Sequence, residues 1–289
     1  MASLKNIRSR IGSVKSIQQV TRAMKMVAAA KLRRAQNSML QARPYANRLR
    51  DVLYNLLPQV DREQLPVLQV RPEIKRTLMV VVTSDRGMAA GFNNNLIRRA
   101  QDHIDKLGKE NVSLICVGRK GRDHFRRRDY PTVASYIDFW SALSFEHATG
   151  LGAQIVGRYE SREADQVLVY FNEFGNVMRQ DIRLEKLLPL QVEEGVDIDT
   201  REVLFEPSRE DVVAGLVPRH LNVQVWRYLL ESYAAEQAAR MTAMENATEN
   251  AGEVISNLQL IYNKARQSDI TKEILDIVGG AEALAAAEK

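Results

Sequence analysis

The last quarter of the chain, Arg219 to Lys289, constrains the fold more than any other stretch. It contains no proline, and its apolar residues recur in alternating steps of three and four. These residues are Met244, Ala247, Ala251, Val254, Leu258, Ile261 and Ala265. A spacing near 3.5 is the period that lets one helix wrap around a partner. Because one helix of this length would measure about 105 Å, the stretch predicts a long coiled coil and not a helix buried in a compact domain.

Residues 1–57 predict a second long helix. An apolar stripe begins with Leu4, Ile7, Ile11 and Val14, and its phase then drifts through Ile17, Val20 and Met24. It settles into a regular alternation at Ala28, Leu32, Ala35, Met39, Ala42, Ala46, Leu49, Leu53 and Leu56. Small and flexible side chains at many of these positions let a partner helix approach closely. Pro44 lies inside the stripe and is expected to kink the helix without ending it.

The charged residues of this first helix are almost all basic. Residues 1–50 contain 12 Lys or Arg and no Asp or Glu, whereas the whole chain carries only +5, so the remainder carries −7. An organellar transit peptide has such a composition, but this helix continues without a cleavage-like break. A nucleic-acid-binding arm remains an alternative, although interleaved aromatic or glycine residues are missing. The favoured interpretation is a basic rod that faces acidic protein surfaces.

The middle of the chain predicts an α/β domain at residues 76–190. Residues 58–75 contain three prolines and predict a linker, and residues 191–208 predict a polar connection before a C-terminal helix at 209–289. Strands are expected at Thr77–Thr83, Val112–Val117, Thr132–Ile137, Gln166–Asn172 and Val177–Leu187. Helices between the first four imply a mostly parallel, Rossmann-like sheet. The turn at Gly175 and Asn176 adds an antiparallel edge.

The two terminal helices are expected to pair. If both leave the same end of the α/β domain, they must run antiparallel, and the longer C-terminal helix should project about 25 Å beyond the pair. This tip carries Ile274, Leu275, Ile277, Val278 and Leu284. An unpaired apolar tip favours aggregation unless something covers it. We therefore expect it to lie inside a collar formed by other subunits.

Two loops have a partial likeness to anion-binding sites. Ser84–Asn93 joins a strand to a helix, but it lacks the Lys-Ser/Thr pair of a P-loop and the spacing of a dinucleotide fingerprint. The favoured interpretation is that its glycines permit a tight turn and that Asp85 or Asn93 caps the helix. Val117–Gly121 is more simply a turn that ends a strand. The carboxylates of Glu193, Glu194, Asp197 and Asp199 favour a solvated acidic loop over a catalytic pair.

No catalytic, cofactor or metal site is predicted. The single Cys116 excludes an internal disulfide and fits a reducing compartment. The histidines His103, His124, His147 and His220 lack metal-ligand spacing. The longest apolar run is far shorter than the roughly 18 residues that a membrane span needs, so any membrane association should be indirect. These features indicate a mechanical or assembly part.

Three segments resemble one known family. Ile17–Ala35, the SDRG-x-x-x-G-x-N loop at Ser84–Asn93, and Ala234–Gly280 closely resemble the gamma subunit of rotary F-type ATP synthases. The resemblance covers essentially the whole chain. It implies an antiparallel coiled coil inside a ring of three alpha and three beta subunits, above a foot that rests on the c-ring beside the epsilon subunit. It also implies a rotor that couples proton flow to ATP synthesis and regulates ATPase activity, without a catalytic site of its own.

The resemblance implies contact residues as well. Those that match the family's contacts with the beta subunits are Met24, Lys25, Arg266 and Gln267. Those that match the foot segment facing the c-ring and epsilon are Phe205 and Glu206. The apolar tip of the C-terminal helix would lie in a hydrophobic bearing.

Two departures from the family pattern stand out. Met88, Ala89 and Ala90 replace the usual Leu-Cys-Gly, and the cysteine-bearing insertion of chloroplast gamma subunits is missing from Gln191–Arg209. Control through thiols is therefore not expected. The resemblance places the chain at a bacterial plasma membrane, as a peripheral subunit on the cytoplasmic face. A coiled-coil nucleic-acid-binding protein and a nucleotide-binding α/β enzyme remain as alternatives from other functional classes.

Overall fold

The computed structural model describes residues 4–60, 65–191, 206 and 208–287, with the side chains of residues 59, 280 and 282–287 excepted. Two long helices, α1 at Leu4–Leu56 and α5 at Arg209–Ala287, are the first and last elements of the described chain. The shorter helices are α2 at Phe92–Leu107, α3 at Arg119–Arg126 and α4 at Phe145–Glu160. The strands are β1 at Thr77–Val82, β2 at Val112–Val117, β3 at Thr132–Tyr136, β4 at Gln166–Phe174 and β5 at Gln180–Leu188.

The chain divides into two compact units. The coiled-coil unit consists of Met1–Val27 and Ala243–Lys289, and the sheet unit consists of Ala28–Thr242. The sheet unit therefore contains β1 to β5 and α2 to α4 together with one end of each long helix. Pro44 lies inside α1 without ending it, as predicted.

The five strands form one sheet in the order β3-β2-β1-β4-β5. The first four are parallel and β5 is antiparallel to β4, which confirms the predicted mostly parallel sheet with an antiparallel edge. β5 begins at Gln180, three residues later than predicted. The reason is that the turn takes up Asn176 to Arg179, since the side-chain Oδ1 of Asn176 accepts hydrogen bonds from the backbone N–H groups of Met178 and Arg179.

Each face of the sheet is covered by its own apolar cluster. Leu78, Val80 and Val82 of β1 belong to one cluster, and Met79 and Val81 belong to the other, as expected for side chains that alternate along a strand. Helices cover both faces of this sheet, so β1 is buried along its whole length. The first cluster receives α4, the end of α1 and the beginning of α5, and the second receives α2 and α3.

Part of the predicted linker belongs to the core. Val67 and Leu68, in a short 3-10 helix at Pro66–Leu68, are buried in the first cluster. The backbone N–H of Leu190 donates to the carbonyl of Val67. Proline content predicted a break in regular structure here, but it could not show that apolar residues within the break pack against the sheet.

In the coiled-coil unit, α1 and α5 pair antiparallel. Gln18 donates from Nε2 to the carbonyl of Thr248, and the hydroxyl groups of Thr21 and Thr248 lie 2.7 Å apart. Lys25 forms an ion pair with Glu245. Since the partners of later residues in α1 lie earlier in α5, the two helices run in opposite directions, as predicted.

The contact seam of α5 differs from the predicted stripe. Val254 and Ile261 are 43% and 54% exposed, so they do not belong to it. The observed seam follows Met244, Thr248, Ala251, Ile255, Leu258, Tyr262 and Ala265, which are buried or half-buried, and the predicted Ala247 is half-buried beside it, as are Glu245 and Gly252. Both series alternate steps of three and four, but the observed one takes the step of four first. Spacing alone cannot choose between them, and Thr248 enters the seam because its hydroxyl donates to the carbonyl of Met244 and meets Thr21.

Two residues of the drifting part of the predicted α1 stripe do not belong to the seam. Ile17 and Val20 are 55% and 57% exposed, whereas Gln18 is half-buried and Thr21 is buried. The seam therefore keeps its alternation from Val14 through these two polar residues. Further along α1, in the sheet unit, Ala28, Leu32, Ala35, Leu49, Leu53 and Leu56 are buried as the stripe predicted.

Candidate partner-binding surfaces

The exposed side chains of Ile17, Val20 and Val27 form an apolar stripe on α1, outside its seam. Their spacing of three and seven residues brings them to one side of the helix. Apolar spacing predicted Ile17 and Val20 in the seam and therefore did not reveal this surface. The drift in phase was the signal, because an apolar stripe that leaves the seam must face solvent or another chain.

Lys25 is already paired within the coiled coil. Its ammonium group contacts the carboxylate of Glu245, and both side chains are partly exposed. Met24, its neighbour, is half-buried. A pair at such a surface contributes at most about 1 kcal/mol, so the pair leaves Lys25 accessible to another carboxylate.

Arg266 and Gln267 lie on α5 just after Ala265, the last half-buried residue among the side chains of this helix that the structure describes. Both are exposed, and so is each residue from Ser268 to Gly279. The helix itself continues to Ala287. The coiled-coil unit therefore presents one unpaired helical end, and the two contact residues predicted from the resemblance stand at its base.

This helical end is apolar, as the sequence predicted. The exposed fractions of its large aliphatic side chains run from 47% for Ile270 to 72% for Ile277. Ile274, Leu275 and Val278 are exposed with them. The side chain of Leu284 lies outside the described part of the structure. The described part of the tip has the aliphatic surface that a hydrophobic bearing requires.

The predicted foot segment lies mostly outside the described residues. Phe205 belongs to the part of the chain that is not described, as do the carboxylates predicted to form an acidic loop, Glu193, Glu194, Asp197 and Asp199. Glu206 is described and is exposed.

The Ser84–Asn93 loop is built differently from the prediction. Neither Asp85 nor Asn93 caps α2, because its N-cap is Gly91 and no side chain caps it. Asn93 instead accepts a hydrogen bond from the backbone N–H of Ser84, and Asp85 accepts from the N–H groups of Arg119 and Asp138. The left-handed residues of the loop are Met88 and Ala90, not its glycines. These side chains stabilise loops that are distant in sequence, which local patterns cannot reveal.

The Val117–Gly121 turn leaves no room for an anion on its amides. The N–H groups of Gly118, Arg119, Lys120 and Gly121 donate to the Tyr136 carbonyl, Asp85 Oδ1, the Ser84 carbonyl and Thr83 Oγ1, at 2.7, 2.8, 3.0 and 2.9 Å. A phosphate would have to displace these acceptors before it could use the beginning of α3. The structure therefore confirms the turn and not an anion site.

Gly118 is the glycine on which this turn depends. Its φ of +92° is rarely adopted by other residues, and a Cβ atom there would lie 2.2 Å from the carbonyl oxygen of Thr83. The neighbouring loop is attached to α5, since Arg240 donates to the Gly87 carbonyl at 3.2 Å and to Glu236 at 2.6 Å. The two loops and α5 thus form one hydrogen-bonded assembly within the sheet unit.

The described residues provide little for covalent or metal chemistry. Within them, no cluster of three or more His, Cys, Asp or Glu side chains could hold a metal ion. Burial raises the pKa of Cys116 to about 12, which keeps its thiol protonated and unreactive. None of the described helices is long and apolar enough to cross a bilayer.

Comparison with known proteins identifies the family. The family model described as ATP synthase matches residues 3–284. A protein named ATP synthase gamma chain from Prosthecochloris aestuarii is 50% identical over 289 residues, which cover 98% of this chain and 99% of that one. The chain belongs to the ATP synthase gamma-chain family. The gamma chain of Chlorobaculum parvum is similar to the same extent, at 49% identity and the same coverage.

Solved structures agree with this family. A chain of the central stalk and c-ring of the Tetrahymena thermophila mitochondrial ATP synthase is 26% identical, with a TM-score of 0.64, over 79% of this chain and 99% of that one. A chain of the Euglena gracilis mitochondrial ATP synthase shares the fold over 99% of this chain and 96% of its own, with a TM-score of 0.71 at 21% identity. The gamma-chain fold therefore extends over both units.

Proposed function

We propose that the chain is the central rotor shaft of a proton-driven ATP synthase. It transmits the rotation of the c-ring to the catalytic beta subunits, so that proton flow drives ATP synthesis, and it regulates ATPase activity without a catalytic site of its own. The observation that carries this proposal is the antiparallel coiled coil with an exposed apolar end, on a chain that is 50% identical to a named gamma chain.

The surface of the coiled-coil unit supplies the asymmetry that such a shaft needs. Ile17 and Val20 form an apolar surface, whereas the basic residues of the first 27 have no acidic neighbours on the same helix. A beta subunit that faces the apolar stripe meets different chemistry from one that faces the basic residues. Rotation of the shaft then changes what each catalytic site encounters.

The beta-subunit contacts are proposed to be individually weak. Met24, Lys25, Arg266 and Gln267 are exposed or partly exposed. Single ion pairs at such surfaces contribute at most about 1 kcal/mol. A shaft held by contacts of this size can turn past successive beta subunits without being trapped at one of them.

The tip and the foot complete the proposal. The apolar end of α5, with Ile274, Leu275, Ile277, Val278 and Leu284, turns inside a collar made by the ring of alpha and beta subunits. Phe205 and Glu206 face the c-ring and the epsilon subunit. The chain then lies at the periphery of a bacterial plasma membrane, on the cytoplasmic side.

Removal of the last dozen residues tests the tip. We expect this truncation to weaken the complex with the alpha and beta subunits, because it removes apolar surface that the collar would bury. A matched variant replaces Ile274 and Ile277 with Asp and keeps the length of the helix. Complexes of unchanged yield and salt resistance for both variants would contradict a bearing.

Co-expression with alpha and beta subunits tests the function as a whole. We expect one copy of the chain per ring of six subunits, and an ATPase activity that differs from that of the ring alone. Native mass spectrometry gives the stoichiometry. A chain that fails to join the ring, and instead binds DNA or RNA with a steep dependence on salt, would support the nucleic-acid-binding alternative and contradict the rotor.

A further inference from the structure

A groove in the sheet unit lies along the last strand of the sheet. Its volume is about 1120 Å³, and it is partly open to solvent. Its walls come from residues 184–187 of β5, residues 39–54 of α1 and residues 220–231 of α5. The volume exceeds the roughly 300–1,000 Å³ that is usual for small-molecule pockets, so the groove has room for a longer ligand.

The strand that lines the groove is an edge strand. β5 is the last strand in the sheet order, and among the described strands only β4 pairs with it. An edge strand presents backbone N–H and C=O groups along its outer side. Four consecutive residues of β5 line the groove, and Leu184 among them is 41% exposed. An extended peptide can pair with such an edge as an added strand.

The length of the groove fits a short extended segment. The stretch of α1 that lines it measures about 22 Å and the stretch of α5 about 16 Å, at 1.5 Å per residue. An extended chain rises about 3.3 Å per residue, so about five to seven residues would span this distance.

The accessible charges of the groove are cationic. Arg43 and Arg50 of α1 and Lys186 of β5 line it, and all three are exposed. Within the part of the chain that the structure describes, Arg43 has no ion-pair partner. Lys186 donates to the amide oxygen of Gln191 at 3.4 Å, and Arg50 contacts its own neighbour Asp51 at the surface. These contacts are weak enough for each cation to meet another carboxylate.

The carboxylates of the groove are already engaged. Glu185 forms an ion pair with Arg227, and Glu231 lies 3.7 Å from the same guanidinium group. Two carboxylates therefore share one arginine in the wall, and the three other cations of the groove stand in excess. The groove attracts negative charge from outside the chain.

We propose that this groove binds an extended acidic segment of a partner polypeptide, which joins the sheet as a strand beside β5. The backbone of the segment exchanges hydrogen bonds with the outer edge of β5. Its Asp or Glu side chains form charge-assisted hydrogen bonds with Arg43, Arg50 and Lys186. The edge strand selects an extended polypeptide and the excess of cations selects an acidic one, so both features together define the partner's chemistry.

Three matched peptides test these two requirements. The first is a fluorescein-labelled hexapeptide of alternating Glu and Val, and the second replaces each Glu with Lys. The third keeps the acidic sequence but carries a methyl group on every backbone nitrogen, so it cannot donate to β5. Fluorescence anisotropy with the full-length chain should show saturable binding of the acidic peptide. Each of the other two should bind at least about tenfold more weakly.

Two variants locate the site. Removal of two cations by Arg43→Gln with Lys186→Gln should weaken binding at least about tenfold, whereas Arg48→Gln, exposed on α1 outside the groove, should not. Ala46→Phe fills the groove from α1 and should abolish binding, with Ala30→Phe at an exposed position of α1 as its control. Circular dichroism establishes that each variant is folded.

A further variant separates a partner segment from this chain's own acidic residues. Glu193, Glu194, Asp197 and Asp199 lie outside the described residues and follow Gln191, which lines the groove. Their replacement by Gln and Asn should leave the affinity for the acidic peptide within about twofold. A larger rise in affinity would show that the chain's own carboxylates compete for the groove, and it would overturn the proposal.

The proposal is also overturned if the acidic peptide does not saturate below about 1 mM, or if either control peptide binds as tightly. Unchanged binding by Arg43→Gln with Lys186→Gln, or by Ala46→Phe, would overturn it as well. These measurements use the isolated full-length chain, so their outcome does not depend on the rotor function.

Discussion

The two units of the chain are stabilised in different ways. In the sheet unit, two large clusters of buried apolar side chains cover the faces of a five-stranded sheet. In the coiled-coil unit, the seam includes the polar residues Gln18, Thr21 and Thr248, and apolar residues such as Ile17 and Val20 face outward. The sheet unit buries most of its own apolar side chains, whereas the coiled-coil unit leaves several of them exposed to partners.

This difference indicates where stability and function reside. A residue buried in the sheet unit contributes to folding, and its loss leaves a cavity. A residue exposed on the coiled coil contributes little to folding but defines what a partner encounters. Substitutions should therefore have large effects on stability in the first unit and small effects in the second.

The largest effect is expected at Gly118 of the sheet unit. Gly118→Ala should lower the free energy of unfolding by about 3–5 kcal/mol, because it combines a left-handed backbone with a Cβ that meets the Thr83 carbonyl. Denaturant unfolding measures this change. Gly215→Ala is the control, since a Cβ there meets nothing within 4 Å in α5, and it should stabilise the helix by about 0.5–1 kcal/mol. Similar losses for both variants would contradict the close contact.

Truncation of one buried side chain in each unit sharpens the comparison. Leu114→Ala, at a position that is fully buried in the sheet, should cost about 2–5 kcal/mol. Ile255→Ala in the coiled-coil seam should cost less, about 1–2 kcal/mol, because a two-helix seam can collapse around the gap. Hydrogen exchange of residues 243–265 and of the strands separates the two responses. An equal loss of stability in both units would contradict the proposed difference in how they are stabilised.

Glu231 should make the stability of the sheet unit depend on pH. Its pKa is raised to about 7 from 4.5, so the folded chain binds this proton more tightly than the unfolded chain does. The resulting stabilisation is present below pH 4.5 and is lost as the pH rises through 7. From pH 5 to pH 8, Glu231→Gln should therefore gain about 1–2 kcal/mol relative to the unchanged chain, a value reduced for remaining solvent contact.

The charged groups around Glu231 are Arg227 on its own helix, Glu173 on β4, Glu185 on β5 and Arg43 on α1. The control is Glu210→Gln, exposed near the beginning of α5, which should keep the pH profile of the unchanged chain. Thermal unfolding across the pH range measures all three proteins. Parallel profiles for Glu231→Gln and the unchanged chain would contradict the raised pKa.

The smallest effect on stability is expected at Lys25. The quantity measured for its variants is therefore the rate of ATP synthesis. Lys25→Ala should change ATP synthesis by less than about twofold. Lys25→Glu should reduce it several-fold, because it would place a like charge before the acidic surface that we propose for the beta subunits. Lys25→Glu also repels Glu245. The pair Lys25→Glu with Glu245→Lys restores the ion pair within the coiled coil and should recover stability but not ATP synthesis. Equal rates for Lys25→Ala and Lys25→Glu would refute the electrostatic contribution.

Much of the fold could be predicted from the sequence, because it depends on local spacing. Alternating strands and helices predicted the parallel sheet, and the turn at Asn176 predicted its antiparallel edge. The seam could not be fixed in this way, since Val254 and Ile255 satisfy nearly the same spacing. The role of Asp85 depends on Arg119 and Asp138, which are distant in sequence.

The most direct test of the rotor asks whether the coiled coil turns inside the ring. Cys116 is fully buried, so a cysteine introduced at the exposed Val20 can be cross-linked selectively to one labelled beta subunit. The cross-link is then reduced, ATP is hydrolysed, and the cross-link is formed again. If the chain rotates, the new cross-links should be distributed equally among the three beta subunits, whether or not a subunit carries the label. Cross-links that return only to the original beta subunit after many turnovers would contradict the account.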